Sequence, residues 1–183
     1  MRAMEFLWLT VSQLYVGAFM LRLMLQLTRA DFYNPFSQFI VRITAPLLRP
    51  LRRVLPGWRG IDTASLVIIL VLQLIAMAVW VLIRGGAPEP LLLAILTVGK
   101  LIGLLLNIYF IALIGQVILS WVAQGYHPVM SVLDSLTGPI LRPIRNVLPT
   151  PAGIDFSPAV ALLGIMFLRY LIGDIFPMLR GLV

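Results

Sequence analysis

The chain has 183 residues, of which 61% are hydrophobic and 11% are charged, and its mean hydropathy of +1.02 is typical of a membrane protein. It contains no cysteine, which excludes disulfides, thiolate metal sites and cysteine nucleophiles. The net charge of +7 would suit nucleic acid in a soluble protein. In a membrane protein the expected counter-charge is the anionic head groups of the lipid bilayer, so no nucleic-acid partner is predicted.

Four apolar stretches are long enough to cross a bilayer as helices, which takes about 20 residues. They cover residues 6–28, 64–83, 98–123 and 159–179. The first is predicted to be a retained helix and not a signal peptide, because it is long, contains Gln13 and Arg22, and lacks a small-x-small cleavage site. Residues 91–97 are predicted to be an interfacial extension or a tilted start of the third helix, because Gly99 and Lys100 interrupt the apolar run.

A sequence motif rich in proline and arginine follows the first apolar stretch and recurs after the third. It reads PLLRPLRRVLPGWRGID over residues 46–62 and PILRPIRNVLPTPAGID over residues 139–155, which is 93 positions later. The same offset places the first stretch on the third and the second on the fourth. We therefore predict an all-α membrane protein with about four transmembrane helices in two tandem parallel repeats, residues 1–90 and 91–183. Each repeat would contain a span, an amphipathic Pro/Arg-rich loop helix and a second span.

An amphipathic helical pattern precedes each motif, with Asn34 and His127 as predicted N-caps before a proline. Because each repeat crosses the membrane twice, both basic loops should lie on the same face. The positive-inside rule predicts that this face is cytoplasmic and that both termini lie outside. Whether the loops lie flat on the membrane or re-enter it stays open.

The prolines of the two motifs are expected to interrupt the helix, because each removes a backbone donor and disfavours helical geometry in the preceding residue. The arginines could bond the carbonyls that the prolines free, pair with the nearby aspartates, or bind lipid phosphate. A structural or interfacial role is favoured over a ligand or ion site formed by two converging loops. The candidate residues are Pro46, Arg49, Pro50, Arg52, Pro56 and Asp62 in the first copy, and Pro139, Arg142, Pro143, Arg145, Pro149, Asp155, Ser157 and Pro158 in the second.

The repeated pattern P-hydrophobic-hydrophobic-R-P-hydrophobic-R-x-V-L-P, followed by G-I-D, resembles the signature of the YggT family of small bacterial membrane proteins and the related YlmG proteins. The second copy ends in GIDFSP, similar to the family's Asp-x-Ser-Pro, whereas the first reads GIDTAS. The resemblance implies an inner-membrane protein. It also implies links to osmotic or potassium homeostasis, to division and envelope organisation, or to cytochrome assembly or membrane biogenesis in plastids. It supplies no catalytic residues.

Polar side chains inside the predicted spans have several interpretations. Arg169, near the middle of the fourth span, is expected either to bond within the bundle or to another subunit, or to serve the passage of an ion or substrate. Arg22 is interpreted as snorkelling toward the cytoplasmic end of its helix. Hydrogen bonds between helices are expected from Gln26, Gln73, Asn107 and Gln116.

No catalytic, cofactor or metal site is predicted. The single histidine, His127, occupies a helix-cap position, and Asp62 and Asp155 lie beside arginines that oppose cation binding. The favoured function is a non-enzymatic inner-membrane protein that supports the assembly or organisation of envelope complexes. Its partners would be anionic lipid and either another membrane protein or further copies of itself. The alternative is a small ion transporter or channel component linked to osmotic or potassium homeostasis.

Overall fold

The computed structural model describes residues 2–57, 60–122, 127–148 and 155–180. Within these ranges the chain forms six α-helices and a final 3-10 turn. Helices α1 to α6 are Arg2–Leu27, Pro35–Val54, Thr63–Ile83, Pro90–Val122, Pro128–Val147 and Ser157–Ile175, and the turn is Pro177–Leu179. Helices α1, α3, α4 and α6 are long and apolar enough to cross a membrane. The predicted all-helical fold with four candidate spans is confirmed.

Two of these helices end in left-handed turns that satisfy their last carbonyls. After α3, Gly85 has a φ of 76°, and the Gly86 N–H donates to the Val81 carbonyl at 3.0 Å. After α1, Arg29 takes the equivalent position with a φ of 53°, and the Ala30 N–H donates to the Leu25 carbonyl at 2.9 Å. Both turns redirect the chain within a few residues of the span.

Residues 91–97 belong to the third helix, in keeping with the predicted extension or helix start, and Gly99 and Lys100 do not interrupt the helix. Helix α4 runs unbroken for 33 residues, about 50 Å of helix, and includes residues 91–97 as its first turns. Leu96 is buried against the end of α3, which holds this extension in place. Gly99 lets the side chain of Leu179 pack closely on α4, because that side chain would have to shift if a Cβ were present.

The fourth span ends earlier than predicted. Helix α6 stops at Ile175, and Pro177 starts the 3-10 turn in which the predicted end at residue 179 lies. Arg169 is the thirteenth of the 19 residues of α6, three residues past Met166 at its centre, so it lies near the middle of this helix, as predicted.

The two motif helices run through their prolines, which corrects the predicted interruption. Pro46 and Pro50 lie inside α2, and Pro139 and Pro143 lie inside α5. All four prolines are exposed. Because the two prolines of a helix are four residues apart, they share one face, and the carbonyls that they free can be solvated there. The opposite face continues to pack, with Leu48 of α2 fully buried.

Each motif helix packs its buried face between two spans. Leu48 of α2 lies in a buried cluster with Phe19 of α1 and Ile69 of α3. Leu141 of α5, which is 93 positions later, lies in a cluster with Leu113 of α4 and residues of α6. The division of the chain into two repeats stays a prediction, and this similar packing favours it.

The two motif helices meet at their N-terminal ends. Nδ2 of Asn34 donates to the Pro128 carbonyl at 2.6 Å, and its Oδ1 accepts from the Phe36 N–H at 2.9 Å. Asn34 is thus the predicted N-cap of α2 and also a link to α5. His127 occupies the N-cap position of α5 but makes no side-chain capping bond among the described residues. Both Pro/Arg-rich helices therefore lie at the same end of the bundle, which we call the motif end.

Candidate functional site

A cavity of about 1200 Å³ lies at the motif end, between α1, α2 and the start of α3. Four guanidinium groups and the single carboxylate of Asp62 are the charged groups that line it, which leaves a formal charge of +3. The amides of Gln26 and Gln38 add further polar groups, and the exposed apolar ring of Pro46 also lines the cavity. The lining arginines are Arg22, Arg42, Arg49 and Arg52.

Asp62 lies in one wall of this basic cavity, where it accepts hydrogen bonds from Arg52 and Ser65. Nε and Nη2 of Arg52 donate to its Oδ2 at 3.1 and 2.5 Å, and the Ser65 hydroxyl donates to the same oxygen at 2.5 Å. Burial alone would raise the pKa of the Asp62 carboxyl, but the hydrogen bonds from Arg52 and Ser65 outweigh it and hold the pKa below 3.8. Asp62 is therefore ionised at neutral pH. The predicted pairing of Arg52 with Asp62 is confirmed.

The second motif repeats this ion pair in a more exposed setting. Nε of Arg145 donates to Oδ2 of Asp155 at 2.8 Å, and Oδ1 of Asp155 accepts from the Ser157 N–H at 2.9 Å. Partial burial acts to raise the pKa of Asp155, but the bonds from Ser157 and Arg145 lower it below its ordinary value. Ser157 is buried and Pro158 follows it in the first turn of α6. The Ser-Pro step thus begins a helix that Asp155 helps to cap.

Arg22 has an environment that differs from its sequence interpretation. Its side chain does not snorkel outward, because it is only 7% exposed and α2 packs over it. Nη1 donates to the Thr44 hydroxyl at 2.6 Å and to the Val41 carbonyl at 3.2 Å, so its hydrogen-bond partners in the described part of the chain are neutral oxygens. The available signal was Thr44 itself, a polar residue that recurs as Thr137 on the apolar face of an amphipathic helix.

A neutral amide replaces this buried guanidinium in the second motif. The Thr137 hydroxyl donates to Oε1 of Gln116 at 2.7 Å, and Nε2 of Gln116 donates to Oδ1 of Asp134 at 2.7 Å. Both threonines are fully buried. The two copies therefore share the anchoring threonine but differ in the charge of the group that it holds.

The remaining motif residues have different environments. Arg49 lines the basic cavity, whereas Arg142 lies exposed on α5. The carbonyl of Pro56 accepts a hydrogen bond from the Thr63 hydroxyl at 2.8 Å, which closes the loop before α3. Pro149 lies outside the described residues. The structure thus gathers Pro46, Arg49, Arg52 and Asp62 around one cavity.

Two of the four amides predicted to link helices do so, Gln73 and Gln116, whereas Gln26 bonds the loop before α3. Nε2 of Gln13 donates to Oε1 of Gln73 at 3.1 Å, and Nε2 of Gln26 donates to the Gly60 carbonyl at 3.3 Å. Gln116 bonds α5 as described above. Asn107 lies along an apolar groove of about 530 Å³ between α1, α2, α4 and α5.

Arg169 lies at a second cavity, of about 540 Å³, toward the end of the bundle opposite the motif end. Asp174 and Arg180 also line it, and Arg180 donates to Asp174 Oδ1 at 2.9 Å. Lys100 of α4 lies close enough to Arg169 for their positive charges to interact. Cationic side chains from two spans therefore converge near this cavity.

Comparison with known proteins places this arrangement in a family. The family model described as CCB3/YggT matches residues 1–83 and 95–176. The chain is 41% identical over 180 residues to "Uncharacterized protein in proC 3'region" of Vibrio alginolyticus, with 96% of each chain covered. It is 43% identical over 163 residues to "Uncharacterized protein YggT" of Escherichia coli strain K12, covering 89% of this chain and 85% of the relative.

A third relative is "Uncharacterized protein PA0392" of Pseudomonas aeruginosa, which is 42% identical over 166 residues and covers 89% of this chain and 84% of the relative. No solved structure matches the chain. The family match covers both motif helices and all four candidate spans apart from the first turns of α4. The chain is therefore a membrane-integral member of the CCB3/YggT family.

Proposed function

We propose that this chain is a non-enzymatic inner-membrane protein that recognises its partners at the motif end and thereby supports the assembly or organisation of envelope complexes. The observation that carries this proposal is the basic cavity, which gathers the distinctive motif residues at one end of the bundle. The exposed faces of α2 and α5 extend the same surface, since Arg53 and Asn146 are both exposed on them. Another membrane protein or a further copy of this chain would bind there.

The charge distribution supports an orientation with the motif end in the cytoplasm. Among the described residues outside the four spans, seven arginines lie at the motif end. At the opposite end, Arg84 pairs with Glu5 at 3.1 Å and Arg180 pairs with Asp174 at 2.9 Å. An excess of arginine and lysine is typical of cytoplasmic loops. The motif-end arginines are Arg29, Arg42, Arg49, Arg52, Arg53, Arg142 and Arg145.

The polar groups between the spans favour a recognition role over a transport role. Gln13 bonds Gln73 within the first half of the chain, and Gln116 bonds both Asp134 and Thr137 in the second. These bonds hold helices together, so the bonded groups serve packing between helices and not a polar path. We also propose that residues 1–90 and 91–183 are duplicated units, because α2 and α5 have the same length of 20 residues and begin 93 positions apart.

Affinity purification of the full-length chain from gently solubilised native membranes tests the proposed function. The motif-end variant carries Arg49→Gln and Arg53→Gln on the exposed face of α2. The control carries Leu163→Ala, at an exposed position of α6. We expect a defined partner, or a homo-oligomer, with the native chain and the control, and its loss with the motif-end variant. Recovery of no partner, or a partner that survives both arginine substitutions, would contradict the proposal.

The alternative function, ion passage linked to osmotic or potassium homeostasis, is favoured by the convergence of Arg169 and Lys100 near the second cavity. Arg169, Arg180 and Asp174 leave this cavity with a formal charge of +1, which opposes a potassium ion. Flux of potassium and of chloride into liposomes containing the purified protein tests this alternative. Flux that is abolished by Arg169→Gln would favour it, and liposomes that stay impermeable to both ions would remove it.

A further inference from the structure

We propose that the basic cavity of the first motif is a binding site for a phosphate group, of the kind that an anionic phospholipid head group presents at the membrane surface. The cavity has room for such a group, about 1200 Å³, and a formal charge of +3 from its lining side chains. Arginine suits this ligand because its planar guanidinium presents several N–H donors that match phosphate oxygens in pairs.

The ion pairing and exposure of each arginine show which positive charges are available to a ligand. Arg52 is committed to Asp62, and this pair is close to neutral. Arg42 and Arg49 line the cavity from the exposed face of α2. Two exposed guanidinium groups therefore lie on the cavity wall beyond the ion pair.

Arg22 adds a third charge from the buried side of the cavity. It is 7% exposed, lines the cavity, and donates its hydrogen bonds to the neutral oxygens of Val41 and Thr44 among the described residues. Burying a charged group without an opposite charge in contact costs several kcal/mol. An anion in the cavity would offset this cost, so the fold fixes one donor in place before any ligand arrives.

The second motif lacks this concentration of charge, although it has the same prolines and the same ion pair. At the matching positions, 93 residues later, two arginines stand against two aspartates, and their formal charge is zero. The phosphate site is thus a property of the first motif, and the second supplies an internal control. The matching residues are Gly115 for Arg22, Asp134 for Val41, Ser135 for Arg42, Arg142 for Arg49, Arg145 for Arg52 and Asp155 for Asp62.

Ligand-induced stabilisation of the full-length protein in neutral detergent tests the assignment. Anything that binds the folded state alone raises the unfolding temperature. The probes are phosphatidylglycerol, phosphatidylcholine as the lipid without net charge, and inorganic phosphate. The variants are Arg42→Ser, which installs the residue of the second motif, and Arg49→Gln. Their matched control is Arg142→Gln, at the position equivalent to Arg49.

We expect phosphatidylglycerol to raise the unfolding temperature of the native protein and of Arg142→Gln more than phosphatidylcholine does. Arg42→Ser and Arg49→Gln should each require about fivefold more phosphatidylglycerol for half of the effect. A comparable, Arg42-dependent response to inorganic phosphate would identify a soluble phosphate compound as the ligand source, and its absence would identify lipid.

Two results would overturn the assignment. One is an unfolding temperature that none of the three probes changes. The other is a loss of response in Arg142→Gln as large as in Arg49→Gln, which would indicate general attraction to a basic surface. The assay measures ligand binding and not complex formation, so it can succeed or fail independently of the proposed role in envelope complexes.

Discussion

At the scale of single residues, the matching threonines of the two motifs form hydrogen bonds with different side chains. Thr44 and Thr137 are 93 positions apart, are both fully buried, and contact a side chain of the preceding span. Thr44 accepts from the guanidinium of Arg22, whereas Thr137 donates to the amide of Gln116. Hydrogen bonds to charged groups contribute more to stability than those between neutral groups, about 1.5–3 against 0.5–1.5 kcal/mol.

Thr44→Val should therefore destabilise the protein more than Thr137→Val. Valine keeps the shape of threonine but removes the hydroxyl, so the buried Arg22 loses its closest acceptor. We expect a loss of about 2 kcal/mol for Thr44→Val and about 1 kcal/mol for Thr137→Val in the free energy of unfolding. Denaturant titration in detergent micelles measures both. Equal losses, or a larger one for Thr137→Val, would show that the Arg22 bond adds nothing beyond a neutral contact.

The depressed pKa of Asp62 predicts how stability depends on pH. The folded-state pKa lies below the ordinary value of 3.8, so the contribution of the Arg52 ion pair is fully present above that value. It is lost as the pH falls through the folded-state pKa. The unfolding temperature of the native protein should therefore fall below about pH 4, and Asp62→Asn should flatten that part of the curve. A native-like pH profile in Asp62→Asn would assign the acid sensitivity to other carboxylates.

At the scale of the helices, each proline- and arginine-rich motif lies in a continuous amphipathic helix and not in a broken one. Sequence reasoning located both helices, their N-terminal residues and their basic character. It could not predict that the helices continue past their prolines. The rule that a proline interrupts a helix considers only the local backbone. Whether the freed carbonyls are tolerable depends on which face is exposed, and the packing of Leu48 and Leu141 against the spans decides that.

Replacing a motif proline with alanine should stabilise its helix. Pro50 and Pro143 are exposed in helix interiors, where proline is about 3 kcal/mol less favourable than alanine, although it restricts the unfolded chain by somewhat under 1 kcal/mol. We expect Pro50→Ala and Pro143→Ala each to raise the free energy of unfolding by about 2 kcal/mol. Thermal unfolding followed by circular dichroism measures the change. Destabilisation by either substitution would show that the proline fixes a backbone geometry that the fold requires.

At the scale of the whole molecule, the sequence predicted the number and order of the candidate spans, and the common location of the two basic loops. It did not predict the basic cavity, because that site combines Arg22 of α1 with residues of α2 and with Asp62 before α3. The sequence of the motif alone does not show that a residue of the preceding span lines the cavity. The position of Arg22 near a helix end fits snorkelling, and the sequence does not show that α2 packs over its side chain.

Labelling of single cysteines can test the orientation, since the native chain contains no cysteine. Arg53→Cys and Asn146→Cys lie on exposed faces of the two motif helices, and Glu89→Cys lies in the exposed segment between α3 and α4. We expect a membrane-impermeant maleimide to label position 89 in intact spheroplasts, and positions 53 and 146 only in inside-out vesicles. Labelling of positions 53 and 146 from different sides would contradict the common location of the motif helices.

Photo-cross-linking in living cells can detect a partner that is bound at the motif end. A photoreactive amino acid would replace Asn146, which is exposed on α5 at the motif end, or Leu163, which is 67% exposed on α6. We expect a discrete cross-linked species, either a partner or a second copy of the chain, from position 146 and not from position 163. Only diffuse products at position 146, matching those at position 163, would contradict this recognition role.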